Sequence, residues 1–297
     1  MTLQPRAVVI HRHSEYDELI ARHGTRQQAA FFLESRDRTL DEVLSRHEAL
    51  RSAMQQSTSA VPVDWRRADV ERADLARFSF GPEDVIVVVG QDGLVANVSK
   101  YLDGQPVIGI NPEPDRNPGV LVPHPPEAVA SLLMTRMSAQ RVEERTMVEA
   151  ITDDGQSLRA LNEIYVGHAT HQSARYQIRL PDRTAERQSS SGVLAGTGTG
   201  ATGWLRSAWQ ERHSSLPLPR PTDAELCWFV REAWPSPATG TMFTEGALSV
   251  GQSLTLIAES DQLVCFGDGI EEDALSLTWG QRLSISKAPR CLHLVRS

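Results

Sequence analysis

The feature that most constrains this chain is an unbroken apolar run, Val85-Ile86-Val87-Val88-Val89, that ends abruptly at Gly90-Gln91-Asp92-Gly93. The run reads as a buried strand, and a helical pattern over residues 94–102 comes after the glycines. A turn of that kind presents its acidic residue at the carboxyl edge of a sheet, where open α/β folds hold their ligands. Glycines there let a phosphate or ribose approach the backbone, and the start of the helix offers unpaired N–H groups to an anion. Asp92 is then available for a proton or a metal, or it is simply a turn former or helix cap.

The same alternation surrounds that unit. Residues 7–10 read as a strand and residues 15–23, 27–33 and 40–54 as helices, the last with Leu40, Val43, Leu44, His47 and Leu50 on one face. Short strands are predicted at Val61-Pro62-Val63 and over residues 106–110. Strands separated by helices imply parallel pairing in a three-layer α/β domain. After a Pro-rich passage and a predicted helix over 127–136, the pattern changes to short strands at 147–152, 158–166, 176–180, 192–195, 241–243, 253–258, 263–266 and 282–286, with Asp153-Asp154-Gly155 as a hairpin tip. That is the signature of an antiparallel β-sandwich. At 297 residues the chain exceeds the usual reach of one core. The expected class is α/β plus all-β, with an α/β domain over 1–138 and a β-sandwich over 139–297 whose last residues have the option of returning to the first domain.

A formal charge of -8 argues against a nucleic-acid partner, which a basic face would normally meet, while leaving room for a phosphate held locally. Three widely spaced cysteines, Cys227, Cys265 and Cys291, form neither a disulfide framework nor a CxxC metal site, so a reducing cytoplasm is expected. No apolar stretch reaches membrane-spanning length.

Two further patches carry chemistry. Gly198, Gly200 and Gly203 match the spacing of a dinucleotide fingerprint ahead of a helical pattern, but in β-rich sequence, where Pro217, Pro219 and Pro221 interrupt the next crossover. The loop is either a phosphate or ribose cradle of N–H groups and Thr hydroxyls, or a Gly/Thr turn. Asn162-Glu163 lies inside an apolar strand pattern, so it faces a cleft, where a buried Glu needs a partner, or it marks a strand end at the surface. His168 and His171 lack a third ligand at useful spacing and are read as a polar loop, so no metal site is assigned.

In this order the patches resemble the NAD kinase family. Gly90-Gln91-Asp92-Gly93-Leu94 resembles its GGDGT motif, and the segment from Gly109-Ile110-Asn111-Pro112 to Pro118-Gly119 resembles the next stretch of mitochondrial-type members. Asn162-Glu163 is similar to its NE motif and Gly198-Thr199-Gly200-Ala201-Thr202-Gly203-Trp204 to its nucleotide loop, with a fainter echo at Asp268-Gly269. The resemblance implies a kinase that moves the terminal phosphate of ATP or polyphosphate, with Mg²⁺, to the 2′-hydroxyl of the adenosine ribose of NAD. It implies Asp92 as the catalytic residue that orients or deprotonates the acceptor hydroxyl, Gly90, Gln91 and Gly93 as the donor phosphate loop, and Asn162, Glu163, Thr199, Thr202, Gly203 and Trp204 as the NAD-binding set. A homodimer or homotetramer is implied as well. Gln91 stands where the family has a second glycine and Leu94 where it has threonine. Both departures fall on the phosphate side and favour two alternatives: a non-catalytic NAD(P)-binding regulatory protein, or a kinase of the same fold with a different acceptor.

Overall fold

The computed structural model describes residues 5–135, 142–181 and 183–296. Two compact units form, one from the chain up to Glu143 together with its end from His293, the other from Glu144–Leu292. The division expected after residue 138 lies outside the described residues, as does the end of the helix expected to reach 136.

The first unit runs β1 (Arg6–His11), α1 (Glu15–His23), α2 (Arg26–Glu34), α3 (Leu40–Ser59), β2 (Arg66–Glu71), β3 (Asp84–Val89), α4 (Asp92–Ser99), β4 (Pro106–Ile110) and α5 (Val129–Thr135). The first three helices start on side-chain caps, Ser14 in a reciprocal capping box with Asp17, then Thr25 and Thr39. Each cap satisfies a backbone N–H that the first helical turn leaves without a partner. The strands pair in parallel in the order β2-β1-β3-β4. One face buries Val9, Val85, Val87, Val89 and Ile108 against Ala53 of α3 and Leu132 and Leu133 of α5. On the opposite face Val8, Ile10, Ile86 and Val88 are also fully buried, because strand side chains alternate. Layers on both faces explain why β3 is apolar at every position from 85 to 89.

Val61-Pro62-Val63 is not a strand. Val61 joins the core while Val63 is 95% exposed, and the Trp65 N–H closes a turn on the Pro62 carbonyl. The strand lies just after, at β2, where only Val70 is buried. An edge strand held by its backbone ladder to β1 needs little apolar side chain, so pattern reading passes over it.

The second unit contains β5 (Val142–Thr152), β6 (Ser157–Ala160), β7 (Glu163–His168), β8 (Ala174–Arg179), β9 (Glu186–Ser190), β10 (Gly192–Gly196), α6 (Trp204–Glu211), β11 (Leu226–Arg231), β12 (Glu245–Leu248), β13 (Ser253–Ala258), β14 (Leu263–Gly267), β15 (Ile270–Leu277) and β16 (Arg282–Val295). One sheet has the order β16-β13-β8-β9 with β5 and β6 joined through β16, and the other β12-β11-β10-β7-β14-β15. They enclose Val148, Tyr176, Val193, Trp228, Leu256 and Ile285 in one core. On the outer face of the second sheet Leu194, Cys227 and Phe229 pack on Leu205 of α6. The continuous strand expected over 158–166 is two strands broken at Leu161-Asn162, and no strand forms at 241–243. β16 pairs with β13 early in its course, while its end, His293 and Leu294, pairs in parallel with Pro106 and Val107 of β4. Among the described residues no helix is long and apolar enough to cross a membrane.

Candidate functional site

In the first unit the chain leaves β1 toward β2 on one side and returns to β3 on the other. The carboxyl ends of β1 and β3 therefore form a topological switch point, the place where parallel sheets open a crevice. A cleft of about 330 Å³ lies there, between the turn after β1, the Gly90-Gln91 turn, Pro112-Glu113 after β4, and helices α1 and α3. Gln91 is the N-cap residue of α4, is exposed, and makes no side-chain capping bond. Leu94 turns inward, 3% exposed, and a Cβ at Gly90 would meet its Cδ2 at 3.3 Å.

Asp92 does not line that cleft. Its Oδ2 accepts the Val120 N–H at 3.0 Å, and its Oδ1 accepts those of Leu121 and Val122 at 2.8 and 3.2 Å. The segment it grips crosses β4 so closely that a Cβ on Gly109 would lie 1.9 Å from the Leu121 carbonyl oxygen, which is why position 109 has no side chain. Asn111 helps to close the same loop, its amide donating to the Asn117 carbonyl at 2.6 Å. Gly93 is exposed in the first turn of α4, with open space around it.

In the second unit Asn162 and Glu163 meet the Gly/Thr loop. Thr197 donates its N–H to the Asn162 carbonyl at 2.9 Å and its hydroxyl to the Leu161 carbonyl at 2.6 Å. The same hydroxyl accepts the Thr199 N–H at 3.0 Å. A Cβ on Gly200 would lie 2.4 Å from the Asn162 carbonyl and 2.9 Å from Glu163 Oε2, so the glycine brings the loop onto the carboxyl group. Asp268, in the tight turn after β14, accepts the N–H groups of Leu161 and Asn162 at 2.9 and 2.7 Å and donates its own N–H to the Glu163 carbonyl at 3.0 Å. That clamp breaks the expected continuous strand.

Glu163 is 8% exposed, and among the described residues neither its carboxyl nor the Asn162 carboxamide has a side-chain hydrogen bond. Burial, with the nearby charge of Asp268 adding to it, pushes the Glu163 carboxyl up to about 8. At neutral pH it is therefore mainly the protonated acid, able to donate one hydrogen bond and accept another. Thr199 is buried and its hydroxyl lies 3.4 Å from Nη1 of Arg145. Thr202 is exposed and donates its hydroxyl back to the Thr199 carbonyl at 2.8 Å, and Gly203 beside it is exposed. Trp204 stacks on Tyr165 with ring centroids 5.3 Å apart, under the Arg231 guanidinium.

The structure thus gathers Asn162, Glu163 and Thr199 around one loop, sets Thr202, Gly203 and Trp204 on its outer side, and places Gly90 and Gln91 in the switch-point cleft. Sequence reasoning missed the turn after β1 and reduced Asp268 to a faint echo. His11-Arg12-His13-Ser14 directly after the first strand was the available signal for the former.

A parallel domain with a topological switch point is thus joined in one chain to a β-sandwich that carries a buried acid. No protein-family model matches the chain. It is 26% identical over 167 residues to NAD kinase 2, mitochondrial, of Rattus norvegicus, covering 41% of this chain and 39% of that protein. It is 29% identical over 151 residues to NAD kinase of Clostridium tetani, covering 48% of this chain and 52% of that one. The matches thus span about half, or less, of these relatives' lengths. The crystal structure of an NAD kinase from Archaeoglobus fulgidus in complex with ATP matches 98% of this chain and 93% of its own, with a TM-score of 0.59 and 19% identity. The chain has the NAD kinase fold and resembles the NAD kinase family in sequence.

Proposed function

We propose that the chain is an NAD kinase-like phosphotransferase that moves the terminal phosphate of ATP to the 2′-hydroxyl of the adenosine ribose of NAD. The ribose oxygen forms a bond to phosphorus, the bond to the leaving diphosphate breaks, and the hydroxyl proton is released. The observation that carries this reading is the adjacent pair Asn162-Glu163, a carboxamide and a mainly protonated acid whose side chains have no hydrogen-bond partner among the described residues, a donor and acceptor set of the kind that ribose hydroxyls call for. Catalysis of phosphoryl transfer is positioning and charge neutralisation more than covalent help. A carboxylate offers about four acceptor sites, and backbone N–H groups fill three on Asp92. Its proposed role is accordingly to hold the 120–122 segment and orient a hydroxyl with the site left over. Among the described residues no set of three ligating side chains gathers at Asp92. The Mg²⁺ of this reading is taken as the ion that the donor's phosphates carry, since Mg²⁺ binds through phosphates with few protein ligands.

A cytoplasmic homodimer or homotetramer belongs to the same proposal, and light scattering of the purified protein tests the assembly. Incubation with NAD, Mg²⁺ and ATP, followed by chromatography, tests the activity. NADP that forms with the native chain and not with Asp92→Asn supports it. Buried Leu94, in place of a hydroxyl beside the phosphate turn, favours a second reading, an NAD(P)-binding protein without turnover. NAD binding by calorimetry without NADP from any donor selects that reading.

A further inference from the structure

Thr199 carries a hydroxyl whose proton the described residues do not use. Its backbone is pinned on both sides, the N–H to the Thr197 hydroxyl at 3.0 Å and the carbonyl to the Thr202 N–H at 3.1 Å and hydroxyl at 2.8 Å. Its side chain is β-branched and therefore stiff, and the residue is 2% exposed. Against it lies Arg145 of β5, buried to the same degree, with Nη1 donating to the Thr199 hydroxyl oxygen at 3.4 Å. Two contacts seat that strand beside the loop. The Thr146 N–H donates to the Pro221 carbonyl at 3.0 Å, and Gly198 packs so closely on Arg220 that a Cβ would lie 2.1 Å from its carbonyl carbon. A guanidinium stays charged and has five N–H donors and no acceptor. The Thr199 oxygen therefore accepts from Arg145 and cannot donate to it. Among the described residues no other group takes the hydroxyl proton, and the neighbouring Asn162 and Glu163 side chains make no hydrogen bond either. A buried hydroxyl held by a donor-only neighbour is left to donate to whatever acceptor the loop meets.

We propose that Arg145 is a positioning residue of the dinucleotide site, occupying the acceptor side of the Thr199 hydroxyl so that its proton is given to an oxygen or ring nitrogen of the ligand. Thr199 then reads acceptors and turns away donors, whereas an unanchored hydroxyl serves either. Arg145 acts through Thr199 and does not touch the ligand. That the ligand is NAD rests on the reading above, whereas the polarity of Thr199 does not.

A double-mutant cycle on the full chain, read by calorimetry with NAD, tests the assignment. Thr199→Val keeps the shape, removes the hydroxyl, and is expected to weaken NAD about tenfold. Arg145→Met removes the donors and is expected to cost about five- to tenfold in the native background but less than about twofold on Thr199→Val, where the hydroxyl it acts through is gone. Arg145→Lys, another donor-only cation, is expected to stay within about threefold of native. In the kinase assay Arg145→Met is expected to raise the KM for NAD and to leave kcat and the KM for ATP unchanged. Losses that multiply across the cycle, or Arg145→Met binding NAD as the native chain does, overturn the proposal. Should Arg145→Met fail to fold in urea titration, Arg145→Lys completes the cycle, and a loss of about tenfold that persists on Thr199→Val overturns it equally. Coupled losses in NAD binding with no NADP formed sink the kinase reading alone. NADP formation with losses that multiply sinks the role of Arg145 alone, and a native chain that binds no NAD overturns both.

Discussion

Replacing Glu163 with Gln should stabilise the protein by an amount that grows as pH rises from about 4.5 to about 8. The native carboxyl is lifted from 4.5 to about 8, chiefly by burial. One pKa unit corresponds to about 1.4 kcal/mol, so holding the ionised form in that pocket costs about 5 kcal/mol. Below pH 4.5 the group is protonated whether the chain is folded or not, and its contribution is fully present. As pH rises the unfolded chain ionises first, so stability declines until the folded group also ionises near pH 8, and then levels off. Glutamine has nearly the shape of the protonated acid and cannot ionise. The variant should match the native protein within about 1 kcal/mol at pH 5 and exceed it by about 3–5 kcal/mol at pH 9. Urea unfolding of the two proteins at pH 5, 7 and 9 measures the difference directly, since every other titrating group cancels between them. A difference between native and variant that stays constant from pH 5 to pH 9 would refute the assignment of Glu163 as a buried, unpartnered acid.

Other substitutions test the two units locally. Asp92→Ala strands three backbone N–H groups and should lower stability by about 2–3 kcal/mol, read from the urea midpoint, whether or not the residue takes part in chemistry. Gly109→Ala places a Cβ against the Leu121 carbonyl and should unfold or grossly destabilise the first unit, whereas Gly93→Ala, in open space within α4, should be neutral or gain up to about 1 kcal/mol; equal thermal midpoints for the two would contradict the packing described. Trp204→Ala removes the stack on Tyr165 and should cost about 1 kcal/mol beyond lost area, with Trp204→Tyr close to native in thermal denaturation. A thiol reagent should modify Cys291 first in the native protein, because Cys227 and Cys265 are buried; mass mapping that finds either of these labelled earlier would count against the sandwich core.

What the sequence made legible was local. The periodicity of Leu40, Val43 and Leu50 and the run from Val85 to Val89 each arise from short-range chemistry, and each element is present. The strands that escaped notice did so for different reasons. Residues 66–71 and 270–277 are polar edges held by backbone ladders, whereas Leu226–Arg231 is an apolar run whose β-branched and aromatic content was available to read. The site divided in the same way. Gly90, Asn162 and Glu163 were visible as residue types in context. The partners of Asp92 lie 28 to 30 residues away and those of Asp268 about 106, and no local pattern announces a carboxylate that serves a distant backbone.

The last strand also sets the order in which this protein can be made. His293 and Leu294 complete the parallel ladder beside β4, Val295 fills a place in the first unit's core, and its carbonyl meets the buried His124 ring at 2.9 Å. A ribosome therefore emits most of the first unit early but supplies its closing strand only after the whole β-sandwich has been translated. During that interval the free edge of β4 and a gap beneath it are open to wrong partners. Folding begun on the nascent chain should accordingly stall at an incomplete first unit until residues 293–295 arrive to close it and end its exposure to aggregation and proteolysis.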